Sequence, residues 1–199
     1  MAVDLAIIDG GGANIASLTF ALERLGVKAE LTTDKAVIGS AQRVILPGVG
    51  AAEDAMQRLR KAELCDFIKD LKQPVLGICL GMQLLFEASE EDAATCLGII
   101  PGKATRFTPA PERPVPHMGW NKVRQLKPSK LFDGIPDESH FYFVHSYALP
   151  VNDATIGVTN YGVEFAAVAE YNNFCAAQFH PERSGEWGAR LIENFLTRY

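Results

Sequence analysis

The sequence predicts an α/β fold: a single domain over residues 1–199 built as three layers, with a mixed, mostly parallel sheet and helices on both faces. Three observations carry this. In the first half, apolar runs of strand length alternate with segments of helical period, the pattern of crossovers that join parallel strands. In the second half, short β-type runs follow one another between Pro, Gly and Asn turns, as antiparallel strands do. With 199 residues and 48% hydrophobic content, the chain can bury one sizeable core.

Taken in order, Leu5 to Ile8 reads as the first strand, Ser17 to Leu25 as a helix and Arg43 to Leu46 as the next strand. Glu53 to Leu71 follows as helix with a break near Ala62, and Val75 to Ile78 as a further strand. In such a sheet, sites lie beyond the carboxyl ends of the strands, where Gly10, Pro47 and Cys79 fall. From Gly98 to Gln178 the β-type runs include Phe141 to Val144, Thr155 to Val158, Glu164 to Ala169 and Phe174 to Gln178. These are expected to extend the sheet, with a proline-rich loop at Thr108 to Pro116. A last helix from about Gly185 places Trp187, Leu191 and Phe195 at i, i+4 and i+8, toward the core.

Composition excludes several classes. A net charge of -5 offers no basic patch of the kind a nucleic-acid binder needs. Asp4 and Asp9 interrupt the first apolar stretch and no basic region precedes it, so no targeting segment is read there. Apolar runs stay well short of the roughly 20 residues of a membrane span. A soluble cytoplasmic protein is expected. The four cysteines, at 65, 79, 96 and 175, show no Cys-x-x-Cys pair, so reduced thiols are expected rather than a disulfide frame or a metal site.

Cys79 is the residue with a chemical address. It lies where the apolar strand ends and a helix begins, with Gly77 and Gly81 two positions away on either side. Glycines there let backbone approach backbone around a side chain displayed on a sharp turn, the layout of a nucleophile elbow. The first turn of a helix also favours the thiolate. A lone cysteine is more often a buried small hydrophobe, and the glycines are what tell against that here. A second signal is Gln178-Phe-His180-Pro-Glu182, a strand end that could deliver an imidazole and the carboxylate that orients it. Standing alone, a His before Pro is as well read as a turn residue. None of His117, His140 and His145 has a carboxylate at comparably short spacing in a strand-end turn. Third, Leu46-Pro-Gly-Val-Gly50 after the second of these parallel strands could supply oxyanion donors beside the Leu80 amide, or be a plain Pro-Gly turn.

Gly-Ile-Cys79-Leu-Gly-Met-Gln-Leu-Leu-Phe together with His180-Pro-Glu182 resembles the class I, triad-type glutamine amidotransferases, whose fold is flavodoxin-like. Asp9-Gly-Gly-Gly-Ala-Asn14-Ile-Ala-Ser17, Pro47-Gly-Val-Gly50 and above all Pro116-His-Met-Gly-Trp-Asn121 are similar to the glutaminase subunits of imidazole glycerol phosphate synthase. The resemblance covers essentially the whole chain. It implies that Cys79 attacks the amide carbon of glutamine, that His180 shuttles the proton and that Glu182 orients His180. It implies an oxyanion hole at Val49, Gly50 and Leu80, of which the loop at Val49 and Gly50 reaches its active geometry when a synthase partner engages. It implies substrate contacts at Gln83, Glu91, Ser146 and Tyr147, with no cofactor and no metal. It also implies a heterodimer with a cyclase subunit, a (β/α)₈ barrel, on a face that includes Asn14, Ser17, Trp120, Tyr142 and Arg183. Trp120, in a Pro-flanked loop, is the expected anchor of that face.

The chain departs from the family at Gly10, where Tyr is common, and at Arg183, where Lys is common; a gating salt bridge at that position depends on the difference in geometry. Asp9-Gly-Gly-Gly lacks the third glycine of a dinucleotide fingerprint, with Ile15 in its place. The length leaves no room for a synthase domain, so acceptor chemistry is expected in a separate chain. A glutaminase serving another synthase, such as that for anthranilate or pyridoxal phosphate, a cysteine hydrolase or peptidase sharing the elbow, and a non-catalytic binding module are the alternatives.

Overall fold

The computed structural model describes residues 4–10 and 15–199. Asn14 therefore lies outside the described residues. Strands β1 (Leu5–Ile8), β2 (Ala29–Thr32), β3 (Arg43–Gly48) and β4 (Val75–Cys79) form the parallel half of a nine-stranded sheet. Strands β7 (His117–Gln125), β8 (Ser139–His145), β10 (Thr155–Asn160), β11 (Glu164–Tyr171) and β12 (Phe174–Ala177) complete it in the order β2-β1-β3-β4-β12-β11-β10-β7-β8. Its pairings are parallel from β2 to β12 and antiparallel from β12 to β8. Strand β12 is the seam, parallel to β4 on one side and antiparallel to β11 on the other.

The side-chain period of 2 makes the layers. On β1, Leu5 and Ile7 join a core with Leu18, Ala21 and Leu22 of α1 (Ile15–Arg24) and Leu191, Ile192 and Phe195 of α6 (Gly185–Arg198). Ala6 and Ile8 point the other way, into a core with Ala55, Met56 and Leu59 of α3 (Ala52–Lys61) and Leu84 and Leu85 of α5 (Leu80–Leu85). Such two-faced burial is why the parallel strands read as continuous apolar runs. Helix α3 stops at Lys61 and α4 (Cys65–Lys69) restarts after Glu63 at φ 55°, the expected break.

Besides strand β7, three pieces went unread in the sequence. Edge strand β2 is half-exposed and too short for its alternation to stand out. Helix α2 (Lys35–Ser40) is only six residues, although Asp34 caps it by accepting from the Ala36 and Val37 amides, a legible start signal. A second sheet, β5 (Phe86–Ser89), β6 (Ile100–Arg106) and β9 (Tyr147–Ala148), packs on the α3 and α5 side. One expectation is corrected: Trp120 lies in strand β7, directly opposite Tyr142 of β8, and not in a loop. The proline-rich segment ends at Pro116, and His117 begins the strand. Among the described residues no helix is long and apolar enough to cross a membrane.

Candidate active site

Three neighbouring parallel strands, β3, β4 and β12, end side by side. Gly48 pairs with Cys79, and Ala177 pairs with Ile78, so Gln178 and His180 leave the sheet next to the elbow. The distance between these groups is thereby set by strand spacing, about 4.8 Å per strand.

The chain passes from β4 into α5 with no intervening loop, and Cys79 takes φ 54° and ψ −110°. A non-glycine residue in that region is strained and is held there by what surrounds it. The two glycines make it possible. A Cβ on Gly81 would overlap the Leu46 carbonyl oxygen, and one on Gly77 would lie 2.8 Å from the Gly81 oxygen. The Cys79 side chain is nearly buried, with Sγ 3.9 Å from the Val144 oxygen and 3.9 Å from Gln178 Nε2.

The His180 imidazole hydrogen-bonds the Cys79 side chain, and its Nδ1 lies 2.8 Å from Glu182 Oε1. Burial alone pulls the imidazole pKa down. The hydrogen bonds to Cys79 and Glu182 outweigh it and push the value up to about 10. The ring is fixed from behind as well: the His180 amide donates to the Tyr142 oxygen at 2.9 Å, and the Ser184 hydroxyl donates to the His180 oxygen at 2.7 Å. Thiol, imidazole and carboxylate are thus brought together in the order that nucleophilic catalysis requires.

A cleft of about 300 Å³ opens over Cys79 and is lined by Val49, Gly50, Leu80, Gln83, Glu91, Ser146, Tyr147 and His180, with Pro116, Val144 and His145. Every residue expected to form the triad, the oxyanion hole or the substrate site lines it, apart from Glu182, which sits behind His180. Gln83 Nε2 donates to the Tyr147 oxygen and to Gln178 Oε1, both at 3.0 Å, which leaves its own carbonyl for a ligand. Glu91 Oε2 accepts from the Ala52 amide at 2.8 Å, so this carboxylate also ties down the start of α3 just after the Val49–Gly50 loop. Burial pushes the Glu91 carboxyl up, against the pull of that hydrogen bond.

Of the residues expected on a partner face, Trp120 and Tyr142 meet edge to face with centroids 6.1 Å apart, and Trp120 Cη2 lies over Gly185, two residues past the exposed Arg183. Ser17, half-buried on α1, belongs to the helix that packs against the turn at 181–183. Phe20, Met118 and Trp120 are 58%, 64% and 56% exposed, which marks apolar surface around this face. Sequence reasoning missed Phe20 and Met118, although Met118 stands two residues from Trp120 on the same face of the strand. It also missed Gln178, whose signal was its place two residues before His180. A buried pair, His117 and His145, was set aside; burial pulls them down to about 4 and about 3 respectively.

Comparison with known proteins agrees with this geometry. The family profile of glutamine amidotransferase class-I matches residues 6–199. The chain is 52% identical over 193 residues to imidazole glycerol phosphate synthase subunit HisH of Xanthomonas axonopodis pv. citri (strain 306), covering 97% of this chain and 96% of that protein. To the subunit of the same name from Xylella fastidiosa (strain Temecula1 / ATCC 700964) it is 50% identical with the same coverage. Among solved structures, a glutamine amidotransferase shares the fold at TM-score 0.74 and 17% identity, covering 97% of this chain and 97% of that one. A glutamine amidotransferase of Thermotoga maritima does so at TM-score 0.68 and 19% identity, with coverage of 98% and 83%. The chain belongs to the class-I glutamine amidotransferases and, within them, to the family of imidazole glycerol phosphate synthase subunit HisH.

Proposed function

We propose that this chain hydrolyses the side-chain amide of L-glutamine and passes the ammonia to a cyclase subunit that forms imidazole glycerol phosphate in histidine biosynthesis. The observation that carries the reading is the cleft over Cys79, with His180 and Glu182 behind it and two backbone loops beside it. In the first half-reaction His180 takes the Cys79 thiol proton as Sγ attacks the amide carbon, and the developing oxyanion is met by the Leu80 amide and the Val49–Gly50 loop. His180 gives its proton to the leaving nitrogen, ammonia departs and a thioester remains. In the second, His180 takes a proton from water, the hydroxide attacks the thioester, and glutamate leaves as His180 returns that proton to Cys79 Sγ. Glu182 holds the tautomer and orientation of His180 throughout.

The Gln83 carbonyl and the Glu91 carboxylate fit the α-ammonium end of glutamine, and the Ser146–Tyr147 backbone its carboxylate end. Ammonia at neutral pH is mostly ammonium, which is not a nucleophile, so a closed passage into the partner keeps the product reactive. The partner docks on the face of Trp120, Tyr142, Ser17 and Arg183, as a cytoplasmic heterodimer in which residues 1–199 act as one domain. Tandem purification should recover a barrel cyclase, and adding it with its ligand should raise glutamine hydrolysis. Recovery of a different synthase overturns the acceptor; cleavage of peptides or esters but never glutamine, with the partner present, overturns the reaction.

A further inference from the structure

Two histidines that the mechanism does not use stand beside the cleft. His117 and His145 face each other across β7 and β8 and are 3% and 6% exposed. His117 is stacked between Tyr161 and Phe143, with centroids at 4.0 and 5.0 Å and 24° between planes in both cases. His145 lies against Phe165 and Phe107 at 5.2 and 5.3 Å. Rings packed this way do not turn freely, so their nitrogens have fixed partners.

Those partners decide the proton positions. His145 Nδ1 is 2.7 Å from the Tyr147 oxygen, which can only accept; Nδ1 therefore carries the proton. In the neutral ring its Nε2 is then a bare acceptor, 3.1 Å from His117 Nδ1, which must donate. His117 Nε2 is left bare and accepts from Asn121 Nδ2 at 3.3 Å. The Asn121 amide cannot be reversed, because its Oδ1 takes the Lys122 amide at 2.8 Å and its Nδ2 also donates to the Asn160 oxygen at 3.0 Å. A proton added to either ring sets donor against donor. The chain ends on the carbonyl that also accepts from Gln83.

We propose that His117 and His145 are a positioning pair for the substrate cleft: two neutral Nδ1–H imidazoles, in a one-way chain from Asn121 to the Tyr147 carbonyl, that fix the wall formed by Ser146, Tyr147 and Gln83. Cys79, His180 and the oxyanion loop sit on other strands, so the pair acts on how substrate is held rather than on bond breaking. In that it rests on the glutaminase reading; the tautomers themselves do not.

The first test needs no turnover. Nitrogen-15 histidine NMR of the full chain at neutral pH should show protonated Nδ1 and bare Nε2 at both His117 and His145, unlike the exposed His140. An Nε2–H tautomer at either ring overturns the proposal. The second uses the complex with its synthase partner. His117→Phe keeps the aromatic stack and removes the donor, and should raise the KM for glutamine about tenfold with kcat within about threefold. His117→Asn returns an N–H near the Nδ1 position and should restore most of that KM. An unchanged KM in His117→Phe, or a kcat loss as large as the KM change, overturns it. If both tautomers are as stated but a glutamine analogue fails to label Cys79 in the complex, the glutaminase reading falls while the tautomer chain stands.

Discussion

The parallel and antiparallel halves of the sheet do different work. Strands β1 and β4 are buried along their whole length, whereas β8 alternates buried positions with half-buried or exposed ones and β7 alternates buried or half-buried positions with exposed ones. The parallel half contributes groups placed by backbone: the elbow at Cys79, the loop after Gly48 and, across the seam, the strand end that carries His180. The antiparallel half contributes the Tyr147 wall through the β8 end, and the exposed Met118 and Trp120. Chemistry therefore sits where side chains have least freedom, and recognition where one face is open.

Substitutions can sharpen or break this division. On the parallel side, Cys79→Ala should abolish glutamine hydrolysis, by about 10⁶-fold, with unchanged unfolding; turnover that survives would remove the nucleophile from the scheme. Glu182→Gln should cost about 10⁴-fold in kcat. Its pH signature has a definite sign. His180 is raised from 6.5 to about 10 in the folded chain, so its contribution to stability is fully present below pH 6.5 and is lost as pH rises through about 10. The stability gap between parent and Glu182→Gln, read by urea unfolding, should be widest near pH 6 and shrink toward pH 10. A gap that grows with pH would show that Glu182 is not the partner holding that proton.

Gly81→Ala comes next, because the added methyl overlaps the Leu46 carbonyl and the strand must part from the helix. A loss of more than about 3 kcal/mol in unfolding free energy is expected; a loss under about 1 kcal/mol would mean the elbow is not held by close approach. On the antiparallel side, Trp120→Ala should leave unfolding nearly unchanged, since the ring is 56% exposed, while weakening partner binding by about 2 kcal/mol in calorimetry. A large stability loss with intact binding would reverse the assignment of the two halves.

The same contrast decides what could be read from the residues. Two-sided burial makes Leu5–Ile8 and Val75–Cys79 visible as apolar runs, and the glycines around Cys79 report a backbone requirement that has few other causes. Strand β7 was hidden because His, Gly, Trp and Asn interrupt its pattern, and its pairing with β8 is long-range. The hydrogen bonds of Gln83, Gln178 and Glu91 join residues 39 or more positions apart, a relation no local spacing encodes. The Asp34 cap and the Met118–Trp120 alternation, by contrast, were present in the sequence and went unused.

The position of β12, parallel to one neighbour and antiparallel to the other, bears on how such a chain can change over time. Cys79 ends β4 and His180 follows the end of the adjoining strand β12 by three residues, so the separation of the proposed nucleophile and base is set by backbone pairing more than by which apolar side chains fill the two cores. The fold itself is shared with solved structures at 17% and 19% identity. Random libraries that spare the elbow glycines and the His180 turn should accordingly shed melting temperature well before they shed turnover.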